Sequence, residues 1–298
     1  MKRYIFLSFV LAFSLACPAM AADFWASIQE SELDKPAVVA LGYGNKFPTP
    51  EPMSERFFEL HYLPVKIVGT QGPVEASTGL EAWIFTTTTP LAAGFYQVLV
   101  ESKPAFWSRA GSGPQENKPK NEVDGATSCT VYVNYGKAVI TLGTPTGTDY
   151  SAIQGQKLEI VPQKDPSTIK NGEPFPVQVL FDGKPAVRAE VSAFFAGFTE
   201  DNSSYAFSGN TNDQGVVNII PLRAGTWLAR VTKSQDYADK AVCDRESFTS
   251  TFTFTVADTS GASGAGAPAK TDGTPDDSSA VGSALPPPQA AQGGQGQN

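Results

Sequence analysis

The stretch from Ser208 to Val231, SGNTNDQGVVNIIPLRAGTWLARV, constrains the fold more tightly than any other in this chain. Asn212-Asp213-Gln214-Gly215 supplies turn chemistry, because Asn and Asp tolerate left-handed backbone and Gly accepts it without a Cβ clash. Val216 to Ile220 is a run rich in β-branched residues, closed by Pro221. Ala224-Gly225 then turns the chain into Trp227 to Val231, which alternates large apolar side chains with others. Two strands framed in this way make half of a sandwich and cannot bury their apolar face alone. The flanking segments must supply the facing sheet.

The flanks read as strands too. Leu158 to Pro162, Phe175 to Phe181 and Val187 to Phe195 precede the stretch, with a tight hairpin turn at Asp182-Gly183-Lys184-Pro185. Ser250 to Val256 follows it and alternates Thr with Phe, predicting one wet and one buried face. Short strands at this density predict an immunoglobulin-like sandwich over residues 155–257. Upstream, Asp23 to Ile28, Pro36 to Leu41, Phe57 to Val68, Leu80 to Thr87, Gly94 to Lys103 and Thr130 to Leu142 predict a first β-sandwich over 22–154. No stretch between these ends has helical periodicity, so the expected fold class is all-β with two β-sandwich domains. Arg109 to Ser128 is polar and long for a loop in a compact domain, which predicts a flap or a mobile excursion.

Both ends stand outside these domains. Met1-Lys2-Arg3, the apolar run from Tyr4 to Ala16 and the small-x-small pattern Ala19-Met20-Ala21 predict a secretory signal over 1–21. The run is too short for a good membrane span. Lipidation at Cys17 is the alternative, although Ser14 fits that pattern poorly. Residues 258–298 consist of Gly, Ala, Ser, Pro, Asp and similar residues with no aromatic, a composition that predicts a disordered tail. Loss of Lys2 and Arg3 with the signal leaves 20 basic against 30 acidic residues, a net charge of −10. So acidic a chain is poorly suited to nucleic acid. Cleavage leaves Cys129 and Cys243 as a pair in an oxidising compartment, where a disulfide is the default and two buried free thiols the alternative. Because they lie in different predicted domains, a bond is expected to staple the two together.

The chain resembles a periplasmic domain-of-unknown-function family associated with bacterial nickel and cobalt uptake. The motifs that carry the resemblance are DFW after the signal, GYGNKFPTPEP at Gly42 to Pro52, KPAFWS at Lys103 to Ser108, KLEIVPQKDP at Lys157 to Pro166 and DKAVCD at Asp239 to Asp244. NGEPFPVQVLFDGKPA and TNDQGVVNIIPLRAGTWLARV complete the set, and together these motifs span nearly all of residues 22–256. The resemblance implies a periplasmic accessory protein that captures Ni²⁺ or Co²⁺ or hands it to a membrane metal permease. It also implies a histidine ligand near the mature N-terminus and another in the glycine loop. At these places this chain has Ala22-Asp23 and Asn45-Lys46.

The candidate metal positions are therefore Ala22, through its new α-amino group, Asp23, Asn45 and His61, with Glu51 and Glu55 as further oxygen donors. His61 is the one histidine in the chain. Strand alternation would place it with Glu59 and Leu63, opposite Phe58, Leu60 and Tyr62, which suits a structural role better than a ligand. Imidazole suits nickel and cobalt, whereas carboxylates select poorly against magnesium and calcium. No GxSxG elbow, HExxH helix or second histidine points to an enzyme. The competing expectation is a non-enzymatic structural or protein- or carbohydrate-binding module that has lost metal binding, with Trp107 and its following loop as contact surface.

Overall fold

The computed structural model describes residues 22–199 and 204–258. The expected signal, and all but the first residue of the expected tail, lie outside the described residues. In chain order the first half holds β1 (Asp23–Glu30), β2 (Val38–Gly44), α1 (Glu55–His61), β3 (Lys66–Gly69), β4 (Gly72–Val74), β5 (Ala76–Thr78), β6 (Ile84–Thr87), β7 (Gly94–Glu101), β8 (Ala105–Arg109), β9 (Gln115–Glu116) and β10 (Ser128–Leu142). The second half holds β11 (Leu158–Pro162), β12 (Phe175–Phe181), β13 (Lys184–Pro185), β14 (Glu190–Phe195), β15 (Phe207–Asn210), β16 (Val216–Ile219), β17 (Gly225–Asp236) and β18 (Arg245–Val256).

The fold is all-β, with two sandwiches built on one long shared sheet. That sheet runs in the order β15-β14-β17-β18-β10-β7-β3-β4, with β8 and β9 added beside the start of β10. A small sheet, β1-β2-β6-β5, covers one end of it, and β11-β12-β13 with β16 covers the other. The first core gathers Phe24, Leu41, Phe85, Val98 and Ile140 between the first small sheet and β7–β10. The second, immunoglobulin-like core gathers Ile160, Phe175, Trp227 and Phe252. Each such side chain contributes on the order of 1.5–3 kcal/mol by leaving water. A third cluster, Trp25, Phe47, Phe194 and Leu228, joins the start of the chain to the second half.

The stretch Ser208–Val231 crosses both layers of its sandwich: β15 lies in the shared sheet, β16 in the small one, and β17 returns to the shared sheet. Asn212 fixes the first turn, its Oδ1 accepting from the Gln214 and Val216 amides at 3.0 and 2.9 Å. Asp182 takes φ +50° in the hairpin turn that carries β12 into β13.

Three local expectations are corrected. Phe57 to His61 is not strand but the end of helix α1. Ser54 caps it through Oγ, which accepts from the Phe57 amide at 3.2 Å, and Glu55 supplies negative charge to the first turn. Phe58 and Tyr62 are both buried, and their four-residue spacing fits one helical face as well as it fits strand alternation. Leu80 is fully exposed in the turn between β5 and β6 rather than in a strand. The polar stretch after Arg109 is tied down: Ser108 Oγ donates to the Lys118 carbonyl at 2.7 Å and the Lys120 amide to the Val242 carbonyl at 2.8 Å.

Candidate functional site

Antiparallel pairing of β1 with β2 sets Asp23 opposite Gly44. The two places where the resemblance implies ligands, the mature N-terminus and the glycine loop, therefore meet at one corner. The loop from Asn45 to Glu51 folds back on itself: the Asn45 amide and its Nδ2 both donate to Glu51 Oε1, at 2.9 and 2.8 Å. The Glu51 amide donates to the Tyr43 carbonyl at 2.7 Å. Phe47 anchors the loop by packing edge-on against Trp25 and Phe194. Two glycines make this possible. A Cβ on Gly42 would stand 2.1 Å from the Trp25 indole, and Gly44, at φ +153°, lies where a Cβ would press on Glu51. Their role is to admit a core tryptophan and the loop's own carboxylate, not to bring backbone against a ligand.

Asp23 is only 4% exposed, and its Oδ1 accepts from Arg230 Nη1 at 2.6 Å. Arg230 also donates to the Tyr205 hydroxyl, and its guanidinium lies over the Tyr205 ring. A fixed positive charge thus sits against the carboxylate at the corner. Burial pushes the Tyr43 phenol up, with the Glu51 charge adding to it, and burial does the same at Tyr62. Neither tyrosine offers a phenolate. His61 stands apart from the corner at the last turn of α1, its Nδ1 2.9 Å from the Phe57 carbonyl and its ring over that of Phe57. Among the described residues, no group of three or more His, Cys, Asp or Glu side chains is placed to hold a metal ion.

The donor set that the carboxylate and amide side chains offer at the corner is consequently oxygen alone, with Asp23 Oδ1 and Glu51 Oε1 already engaged within the protein. It fits a selective nickel or cobalt cage poorly. The structure brings Ala22, Asp23 and Asn45 together, leaves His61 out, and adds Arg230, Glu51 and Tyr205. Arg230 is separated from Asp23 by 207 residues, so no sequence spacing could pair them. The one available signal was a charged residue within the otherwise apolar run Trp227 to Val231. A cavity of about 660 Å³ beside the corner is lined by Ser27, Phe47, Thr141, Thr253 and Phe254 among others, with no charged side chain. Trp107 is half-buried on β8, opposite Thr130 of β10.

Cys129 and Cys243 are bonded, with Cα atoms 4.9 Å apart. Both are buried in the second core, so the bond closes one sandwich on itself rather than stapling two domains. No helix among the described residues is long and apolar enough to cross a membrane.

A family model described as a domain of unknown function (DUF4198) matches residues 19–235. No curated protein matches the chain. Among solved structures, the D00-D0 domain of intimin shares 11% identity, covering 79% of this chain and 100% of that one, at a TM-score of 0.20. The D0-D1 domain of intimin shares 14% over 78% of this chain and 97% of that one, also at 0.20. The mouse nectin-like molecule 4 ectodomain (Ig1–Ig3) shares 9% over 80% of this chain and 65% of that one, at 0.18. At such TM-scores these likenesses carry no inference.

Proposed function

The chain belongs to the DUF4198 family, and we propose that it is an exported, periplasmic, non-enzymatic accessory protein of a nickel or cobalt uptake system. In this reading it serves the membrane permease by protein contact rather than by holding the metal itself. The association with metal uptake comes from the motif resemblance, and export is supported by the leader pattern and by the Cys129–Cys243 bond.

The observation that carries the contact reading is the Asp23–Arg230 pair at 2.6 Å. A divalent ion at that corner would meet a guanidinium already in place. Like charges about 4 Å apart repel by several kcal/mol at an effective dielectric constant near 20, before any cost of releasing Asp23. Asn45 donates its backbone amide and its Nδ2 to Glu51 Oε1, which leaves the Ala22 amine as the one nitrogen donor from the expected set at the corner.

Calorimetric titration of the mature chain from Ala22 with Ni²⁺ and Co²⁺, against Mg²⁺ and Zn²⁺, is expected to show no stoichiometric micromolar binding. Cells lacking the protein are expected to accumulate less nickel or cobalt, and Asn45→Ala to restore uptake as fully as the wild type. Tight binding lost on Asp23→Ala would overturn the contact reading in favour of metal capture. Uptake unaffected by loss of the protein would overturn the association itself.

A further inference from the structure

One face of the β17–β18 pair is rich in hydroxyl side chains. Trp227, Phe252, Phe254 and Val256 alternate into the second core, which leaves even-numbered residues of β17 and odd-numbered residues of β18 on the other side. Along much of that side the hydroxyls satisfy one another or the backbone. Thr232 pairs with Thr249 at 3.2 Å, Ser234 with Ser247 at 3.2 Å, and Thr251 Oγ1 donates to the Phe24 carbonyl at 2.6 Å. Thr226 and Thr255 stand opposite each other at one end of the same face. Neither hydroxyl forms a hydrogen bond among the described residues.

The Thr251–Phe24 contact is where β1 crosses this face, and next to it Trp25 joins Leu228 in the third cluster. Beyond the crossing, the cavity of about 660 Å³ opens, with Ser27 of β1 and Thr226 and Thr255 among its lining. Ser27 lies two residues after Trp25, on the side of β1 opposite Phe24 and Ala26, which enter the first core. It is half-buried, and its hydroxyl also forms no hydrogen bond among the described residues. Pro48, which is exposed, and half-buried Val139 add apolar surface. Both sandwiches thus contribute to the lining, and the volume suits a small molecule; junctions of this kind are frequent ligand sites.

The chain carries a net charge of −8, yet no lining residue is charged. An ion entering the cavity would lose water without gaining a counter-ion there. A hydroxyl both donates and accepts, whereas an ammonium only donates and a carboxylate only accepts. Three uncommitted hydroxyls beside apolar surface therefore match a ligand that is itself uncharged, rich in hydroxyls and apolar on its C–H surface. We propose that this cavity binds a neutral mono- or disaccharide, its hydroxyls paired with Ser27, Thr226 and Thr255. A purely apolar ligand would leave those three hydroxyls unpaired.

The test is an NMR titration of the mature chain from Ala22 with glucose, galactose, mannose, N-acetylglucosamine, maltose, cellobiose and lactose. Cyclohexanol serves as an apolar ring and glucuronate as a charged sugar. At least one neutral sugar is expected to saturate below ~10 mM, with the largest amide shifts at Ser27, Thr226 and Thr255. Cyclohexanol should bind at least about tenfold more weakly, and glucuronate no more tightly. Thr226→Val and Thr255→Val each remove a hydroxyl while keeping a β-branched side chain on the strand. Each should weaken the sugar by about three- to tenfold. Ser27→Ala, on a different strand, reads the same loss should a β17–β18 variant fail to fold. No saturation by any neutral sugar up to that concentration would overturn the proposal. So would shifts centred elsewhere, affinity unchanged in the hydroxyl-deleting variants, cyclohexanol binding as tightly as the sugar, or glucuronate binding more tightly.

Discussion

Asp23 and Asp244 show how one residue type takes opposite duties from its surroundings. Asp23 is buried against Arg230, whereas Asp244 is partly exposed and clips the 110–127 loop by accepting from Lys120 Nζ at 2.7 Å and from the Cys129 amide at 2.8 Å. The Lys120 hydrogen bond is the largest cause holding the Asp244 carboxyl below the ordinary aspartate value of 3.8, and the Cys129 amide adds to it. A folded-state value lowered in this way contributes stability above the unfolded value, and that contribution disappears as pH falls through the folded one. The Cys129 amide resonance is therefore expected to titrate with a midpoint below 3.8, and Asp244→Asn to abolish that titration. A midpoint at or above the ordinary value would contradict the clip. That Cys129 and Cys243 would bond was legible from their number and from the leader pattern that predicts export. The sandwich they close was not, because it depends on β10 entering the second core.

At the scale of elements, helix α1 was read by the wrong local rule. Phe57-Phe58-Glu59-Leu60-His61-Tyr62 satisfies a two-residue period and a four-residue spacing alike, and Ser54 at its head decides for helix. At Gly42 and Gly44 the groups that approach the backbone are Trp25 and Glu51. Gly42→Ala is expected to destabilise by about 1–3 kcal/mol as an overpacked site, since the buried Trp25 ring must shift. Urea denaturation checks this, and an unchanged midpoint would mean that the ring moves at no cost.

For the molecule as a whole, β10 is the decisive strand. Its early residues Val131, Val133 and Tyr135 line the second core, and Ala138, Ile140 and Leu142 line the first. It pairs in parallel with β18 and antiparallel with β7, so neither sandwich can lose it without disturbing the other. Lys137 lies between these two sets of residues, and its ion pair with Glu159 is buried to about 1% exposure on both sides. Burial lowers the lysine's proton affinity and Glu159 opposes that shift. Lys137→Met leaves a carboxylate buried and unpaired, for a loss of about 3–5 kcal/mol. Scanning calorimetry should show it as a downward move of one shared transition. Two separable transitions, of which only one moves, would contradict the shared strand.

What the sequence determined by itself was local: strand periodicity, turn chemistry at Asn212 and Asp182, the all-β class, and the chemistry open to two cysteines. These follow from backbone geometry and side-chain alternation over a few residues. Tertiary structure alone decided what those elements do together. It set Arg230 against Asp23, threaded β10 through both cores and buried Lys137 against Glu159. Each of these depends on groups tens to hundreds of residues apart, where contact is governed by packing and charge compensation, and no short-range pattern encodes it.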